Sequence, residues 1–131
     1  MRRRFTAVLI SFLLLTCQWL LAAPAHAAID VAKQVLIGAD YSNKDLRGAT
    51  FNLSNLREAT LDAAVMTGTN LEDAVLEGAF AFNTRFSDVL ITGADFTDVP
   101  MRGDQLKSLC AVADGTNSVT GRSTRESLGC A

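Results

Sequence analysis

The sequence predicts an exported all-β repeat, a small β-solenoid that turns a corner every five residues and is closed at each end by a short helical cap. Three observations predict it. An apolar side chain recurs at every fifth residue from Tyr41 to Met101, a small or β-branched residue stands two positions before nearly every one of them, and an arginine-led apolar segment precedes the array.

That leading segment comes first. Arg2, Arg3 and Arg4 form a basic start, residues 5–21 are mostly apolar, and Ala25-His26-Ala27 supplies a small-x-small site, so residues 1–27 read as a cleavable secretory signal cut between Ala27 and Ala28. The stretch is long enough to compete as an uncleaved anchor, but Ser11, Thr16, Gln18, Pro24 and the Ala-x-Ala site oppose that reading. A twin-arginine route lacks its preceding Ser or Thr, and Thr16 is bulky for the residue before a lipidated Cys17. Cleavage removes three arginines and no acids, leaving nine bases against fourteen acids and a net charge of −5. That balance disfavours a nucleic-acid partner. No stable membrane insertion is expected after cleavage. The mature chain has no histidine and keeps Cys110 and Cys130, which in an oxidising compartment are most simply a disulfide.

Residues 28–38 are expected to form the N-terminal cap, because Ile29, Ala32 and Leu36 fall on one helical face. Residues 39–103 then carry the repeat. The central position reads Tyr41, Leu46, Phe51, Leu56 and onward to Phe96 and Met101, and the position two earlier reads Ala39, Ala49, Ser54, Ala59 and so on, with Lys44 the exception. Neither a helical nor an alternating-strand period generates this pattern. A corner in every block does, with the small and large residues both facing inward and Gly48, Gly68, Gly78, Gly93 and Gly103 at the corner itself. Residues 104–131 form the C-terminal cap. Asp104 is placed to cap a helix whose Leu106, Leu109, Cys110 and Ala113 share a face, Gly115 to end it, and Ser123 with Glu126 to start a second helix before Cys130.

Ala39-Asp40-Tyr41, Thr69-Asn70-Leu71 and Ala94-Asp95-Phe96 resemble the A(D/N)LXX unit of the pentapeptide-repeat family. The resemblance implies a right-handed quadrilateral parallel β-helix with four blocks per coil, here about three coils stacked at roughly 4.8 Å. The tail from Leu109-Cys110 through Gly115-Thr116-Asn117 to Cys130 also resembles pentapeptide-repeat proteins of the cyanobacterial and chloroplast thylakoid lumen. This implies the lumen as the destination, with the periplasm or secretion as alternatives.

Catalytic chemistry finds little support. A mature chain without histidine, with no Gly-rich phosphate loop and with two cysteines in neither CxxC nor zinc-finger spacing, is expected to be no enzyme and to need no cofactor or metal. The acids Asp40, Asp62, Glu72 and Asp95 are expected on outward, solvated positions. A redox role for Cys110 and Cys130 is the weaker alternative to a structural bridge. An acidic DNA mimic is a further alternative, opposed by Lys44, Arg47, Arg57, Arg85 and Arg102 among ten acids of the repeat. What remains is a protein-interaction or structural module whose partner is another protein.

One block breaks the pattern. At Ala79-Phe80-Ala81-Phe82-Asn83 the centre is alanine and the flanks are phenylalanines. Core packing favours a bulge that turns one phenylalanine inward to fill the space Ala81 leaves. The other arrangement keeps the register and exposes Phe80 and Phe82, with Pro100 and Arg102 one coil away, as an interaction patch.

Overall fold

From Asp30 onward every fifth residue forms a parallel β-bridge to the residue twenty positions later: Asp30 with Thr50, Val35 with Asn55, Asp40 with Thr60, Asp45 with Val65, and so on to Val75 with Asp95. In this computed structural model, which describes residues 28–131, the chain thus returns over itself after four five-residue blocks. The expected signal, residues 1–27, and with it the Ala27–Ala28 junction, lies outside the described residues. In most blocks the carbonyl of the central residue accepts from the N–H three positions on, as in Ala39 to Leu36, Ala49 to Leu46 and Ala74 to Leu71, all 3.0 Å. The next coil then closes the ladder through pairs such as Leu56 N–H to the Val75 carbonyl at 2.7 Å.

The corner residue adopts a left-handed conformation, with Gly48 at φ 68° and Gly93 at φ 74°, as the turn requires. Glycine is only part of the solution. Asn43, Leu53, Glu58, Ala63, Asp73, Asp88 and Asp98 occupy the same place at φ between 53° and 60°, a conformation L-residues enter at some cost. At Asn43, Leu53, Glu58 and Asp73 the corner N–H bonds a carbonyl of the neighbouring coil, as in Leu53 to Glu72 at 2.9 Å.

Both inward positions are filled. Phe51, Leu56, Leu61, Met66, Leu71 and Leu76 are fully buried, stacked beside Ala49, Ala59, Ala64 and Ala74. Where the small position carries a hydroxyl, a carbonyl receives it: Ser54 bonds the Phe51 carbonyl at 2.6 Å and Thr84 the Leu61 carbonyl at 2.7 Å. These inward polar atoms therefore meet the requirement that a buried donor be paired.

The expected N-terminal helical cap is not formed. Residues 30–38 already belong to the first coil, through Val31 N–H to the Thr50 carbonyl (2.9 Å) and Leu36 N–H to the Asn55 carbonyl (2.8 Å). The helical face read from Ile29, Ala32 and Leu36 was a coincidence of spacing. Ile29, Gln34 and Lys44, too large for the small position, all sit in this first coil and remain exposed, because among the described residues no coil lies beneath them to limit their size.

At the other end the ladder stops at Asp95 and the chain rises into α1 (Gly103–Val112), then α2 (Thr124–Leu128). Gly103 is the first helical residue rather than a corner, and Asp104 does not cap α1. The N-cap is Arg102, with no side-chain capping bond, and Asp104 lies in the first turn, where its charge suits the helix dipole. Gly115 does not end α1 either, since the helix stops at Val112. Leu109 and Ala113 bury the helix against the top coil, with Leu106, Cys110 and Cys130 packed partly against it. In α2 the Ser123 side chain accepts from Glu126 N–H at 3.3 Å, and Gly129 closes the helix at φ 71°.

Candidate interaction surface

The cap stands in for a missing coil. Phe86 N–H, which would otherwise seek a carbonyl above, is met by Gln105 Oε1 at 2.8 Å, Phe96 N–H by Ser127 Oγ at 2.9 Å, and Gly93 N–H by the Asp114 carbonyl at 2.9 Å. The centre of the junction is Asn117, 1% exposed. Its Nδ2 donates towards the carbonyls of Gly93 (2.9 Å), Ala74 (3.2 Å) and Asp73 (3.3 Å), while its Oδ1 accepts from the N–H groups of Val119 and Thr120, both at 2.9 Å. Gly115 is required by proximity: a Cβ there would lie 2.9 Å from the Gly93 backbone nitrogen.

A second pin is ionic. Asp95, expected among the solvated acids, is fully buried. Its Oδ2 lies 3.2 Å from Arg122 Nη1, which also reaches Glu77 at 3.1 Å, and its Oδ1 accepts from Thr97 Oγ1 at 2.6 Å. Burial alone would raise its pKa, but hydrogen bonds with Thr97 and Thr120 and the charge of Arg122 outweigh it, and the carboxyl titrates below its ordinary 3.8. The alternation rule failed at Asp95 because the cap folds back over that column. Cys110 and Cys130 are disulfide-bonded with Cα atoms 5.6 Å apart. Arg125 spans the bridge, donating to the carbonyls of Cys110 (3.0 Å) and Ala131 (3.1 Å). The sequence does not reveal the docking roles of Asn117 and Arg122, since both sit in a polar stretch that reads as loop.

In the irregular block the register is kept. Thr60 bridges Phe80, Leu61 N–H reaches the Phe80 carbonyl at 2.8 Å, and Ala81 is fully buried, while Phe80 and Phe82 are 45% and 47% exposed. The bulge that core packing favoured is therefore absent. What changes instead is one peptide. Asn83, alone in the run of corner residues from Lys33 to Asp98, has no positive φ, and the corner bond from Ala63 to Phe82 is not formed although its neighbours, Glu58 to Glu77 and Gly68 to Ser87, are. The Asn83 N–H and Nδ2 turn instead to Asp62 Oδ1, at 3.1 and 3.0 Å. Pro100 and Arg102, one coil further along, are exposed as well. All four residues of the expected patch are thus exposed, with Arg102 paired to Asp104 at 3.3 Å.

Among the described residues no cluster of His, Cys, Asp or Glu is placed to hold a metal, and no helix is long and apolar enough to cross a membrane.

Comparison with known proteins adds the lineage. The chain is 41% identical to a pentapeptide repeat protein from the Arabidopsis thaliana thylakoid lumen whose crystal structure superposes with a TM-score of 0.68, covering 78% of this chain and 85% of that one. This likeness carries the right-handed quadrilateral β-helix. Two curated relatives from Arabidopsis thaliana match shorter stretches: thylakoid lumenal 15 kDa protein 1, chloroplastic, 60% identical over 48 residues, and thylakoid lumenal protein TL20.3, chloroplastic, 52% identical over 40 residues. Those matches span 37% and 30% of this chain but only 21% and 14% of the two relatives. The model of pentapeptide repeats matches residues 35–68 and 69–103 in eight copies. With more than half its length matched in this way, and with relatives among chloroplast thylakoid lumenal proteins, the chain belongs to the pentapeptide repeat family.

Proposed function

We propose that the protein is a non-catalytic protein-interaction module of the thylakoid lumen, exported by a signal removed between Ala27 and Ala28, and that it meets its partner through the flank carrying Phe80, Phe82, Pro100 and Arg102. The observation that carries the reading is the exposure of two aromatic side chains, 45% and 47%, on a coil that remains in register. Apolar side chains left in water beside a polar rim are what contact surfaces are made of. The interior supports the non-catalytic part of the reading, since it is filled by stacked apolar residues and its buried acid, Asp95, is held in an ion pair. The lumenal part is supported by the thylakoid lumenal relatives together with the basic-apolar segment at residues 1–27.

The test is chemical cross-linking of the protein in lumenal extracts, comparing the wild type with Phe80→Ser/Phe82→Ser. Neighbours captured by the wild type and lost from a folded double variant are the expected result. Identical capture by both proteins overturns the assignment of the surface, and accumulation outside the lumen overturns the location.

A further inference from the structure

We propose that the partner presents an acidic segment, and that its carboxylates enter the corner cavity bounded by Arg85, Arg102 and Gln105 next to Phe82. The inference rests on the interaction-module reading above and deepens it by naming the chemistry of the partner. The cavity, of about 390 Å3, is lined by Ala63, Val65, Asn83, Thr84 and those three residues. Its only charged lining groups are two guanidinium groups, in a chain whose mature net charge is −5.

The charge of the lining has one sign. Among its neutral groups, Thr84 Oγ1 donates to the Leu61 carbonyl at 2.7 Å and Asn83 Nδ2 to Asp62 Oδ1 at 3.0 Å, which leaves Asn83 Oδ1 as a neutral acceptor. Gln105 spends its carbonyl oxygen on Phe86 N–H at 2.8 Å, which leaves its NH2 as the free arm of the amide, a donor. Arg85 is exposed and makes no ion pair among the described residues. Arg102 uses its Nε on Asp104, and both of those side chains are more than half exposed, so its terminal nitrogens stay available. A concavity that offers two guanidinium groups and an amide NH2, with no negatively charged group in its lining, is complementary to carboxylate oxygens, which accept only.

The aromatic neighbour decides for a protein segment over a free ion. Phe82 directly precedes the lining residue Asn83, and Arg102 lines the same cavity. The turned peptide at Phe82–Asn83 is what opens the corner here, because Asn83 faces Asp62 instead of continuing the row of corner bonds. An acidic residue flanked by apolar ones satisfies both halves of the surface at once: charge in the cavity, apolar area on Phe82 and Phe80.

The experiment is a titration of the isotope-labelled protein, followed by the side-chain N–H resonances of Arg85, Arg102 and Gln105. The probe is a blocked peptide alternating leucine and aspartate, with its asparagine counterpart and inorganic phosphate as comparisons. The aspartate peptide is expected to shift those resonances and those of Phe82 saturably, with affinity falling about tenfold in Arg85→Gln/Arg102→Gln, as loss of charge-assisted hydrogen bonds implies. No shift, equal shifts with the asparagine peptide, or binding untouched by the arginine changes overturns the proposal. Phosphate binding as tightly at the same resonances makes this a simple anion site and equally overturns it. In the cross-linking comparison, capture that depends on Phe80 and Phe82 but not on Arg85 and Arg102 leaves the module reading standing and removes this one.

Discussion

Asn117 carries more of the architecture than any other polar side chain in the cap. It satisfies three carbonyls of the tower and two N–H groups of its own loop, so Asn117→Ala leaves several buried groups without partners. A loss of about 2–4 kcal/mol is expected, read in thermal or denaturant unfolding. Gly115→Ala is expected to cost at least about 2 kcal/mol in the same measurement, since it combines φ 81° with a Cβ only 2.9 Å from the Gly93 nitrogen. Asp95 gives a pH signature. Its folded pKa is depressed below 3.8, so its contribution is fully present above that value and is lost as the pH falls through the folded pKa. Cap docking should therefore be indifferent to pH from neutrality down to about pH 4 and weaken below it, whereas Asp95→Asn should be weaker at neutral pH with less further loss in acid. Unfolding curves for both proteins across that range decide it. The buried roles of Asn117 and Asp95 were not legible in the sequence. An asparagine in a loop and an aspartate at an outward repeat position look solvated until a distant segment folds over them.

At the scale of elements, the pentad was legible because each coil tests every inward position against the coils above and below it. The reading failed at both ends, where that test lapses. The first coil tolerates Ile29, Gln34 and Lys44 at positions that elsewhere are mostly alanine, serine or threonine, and its residues 28–38 were mistaken for a helical cap. The block around Met101 fits the pattern and yet leads into α1, because Pro100 has no N–H to donate to the ladder. Two outcomes follow. Amide hydrogen exchange should protect Leu56, Leu61 and Leu71 in the inner coils more than Val31 and Leu36, whose coil has no neighbour below among the described residues. Replacing Cys110 or Cys130 by serine should lower stability by about 3 kcal/mol, the entropy of a loop of this size, since the bridge closes twenty residues of sequence. The β-rich circular dichroism of the tower should survive. Unfolding of the entire domain on reduction would show that tower and cap are one unit rather than two.

Across the whole molecule, what distinguishes this chain from a plain stack of coils is a single irregular block held in register. A bulge at Ala81 was the reasonable expectation, because an empty slot in a stacked core is costly. The structure keeps Ala81 inward and the ladder at Thr60 and Phe80 intact, and the corner departs from the pattern at Asn83. Sequence alone does not settle this choice, since it balances a cavity against aromatic exposure and both costs depend on how neighbouring coils settle. The direct measurement is the unfolding free energy of Phe80→Ser/Phe82→Ser, with Phe51→Ser as the buried reference at 0% exposure. Two half-exposed rings on an in-register coil predict a loss of about 1 kcal/mol or less for each, against about 3–5 kcal/mol for Phe51→Ser. A loss in the double variant as large as that of the buried reference would place one of the two rings in the core and contradict the account.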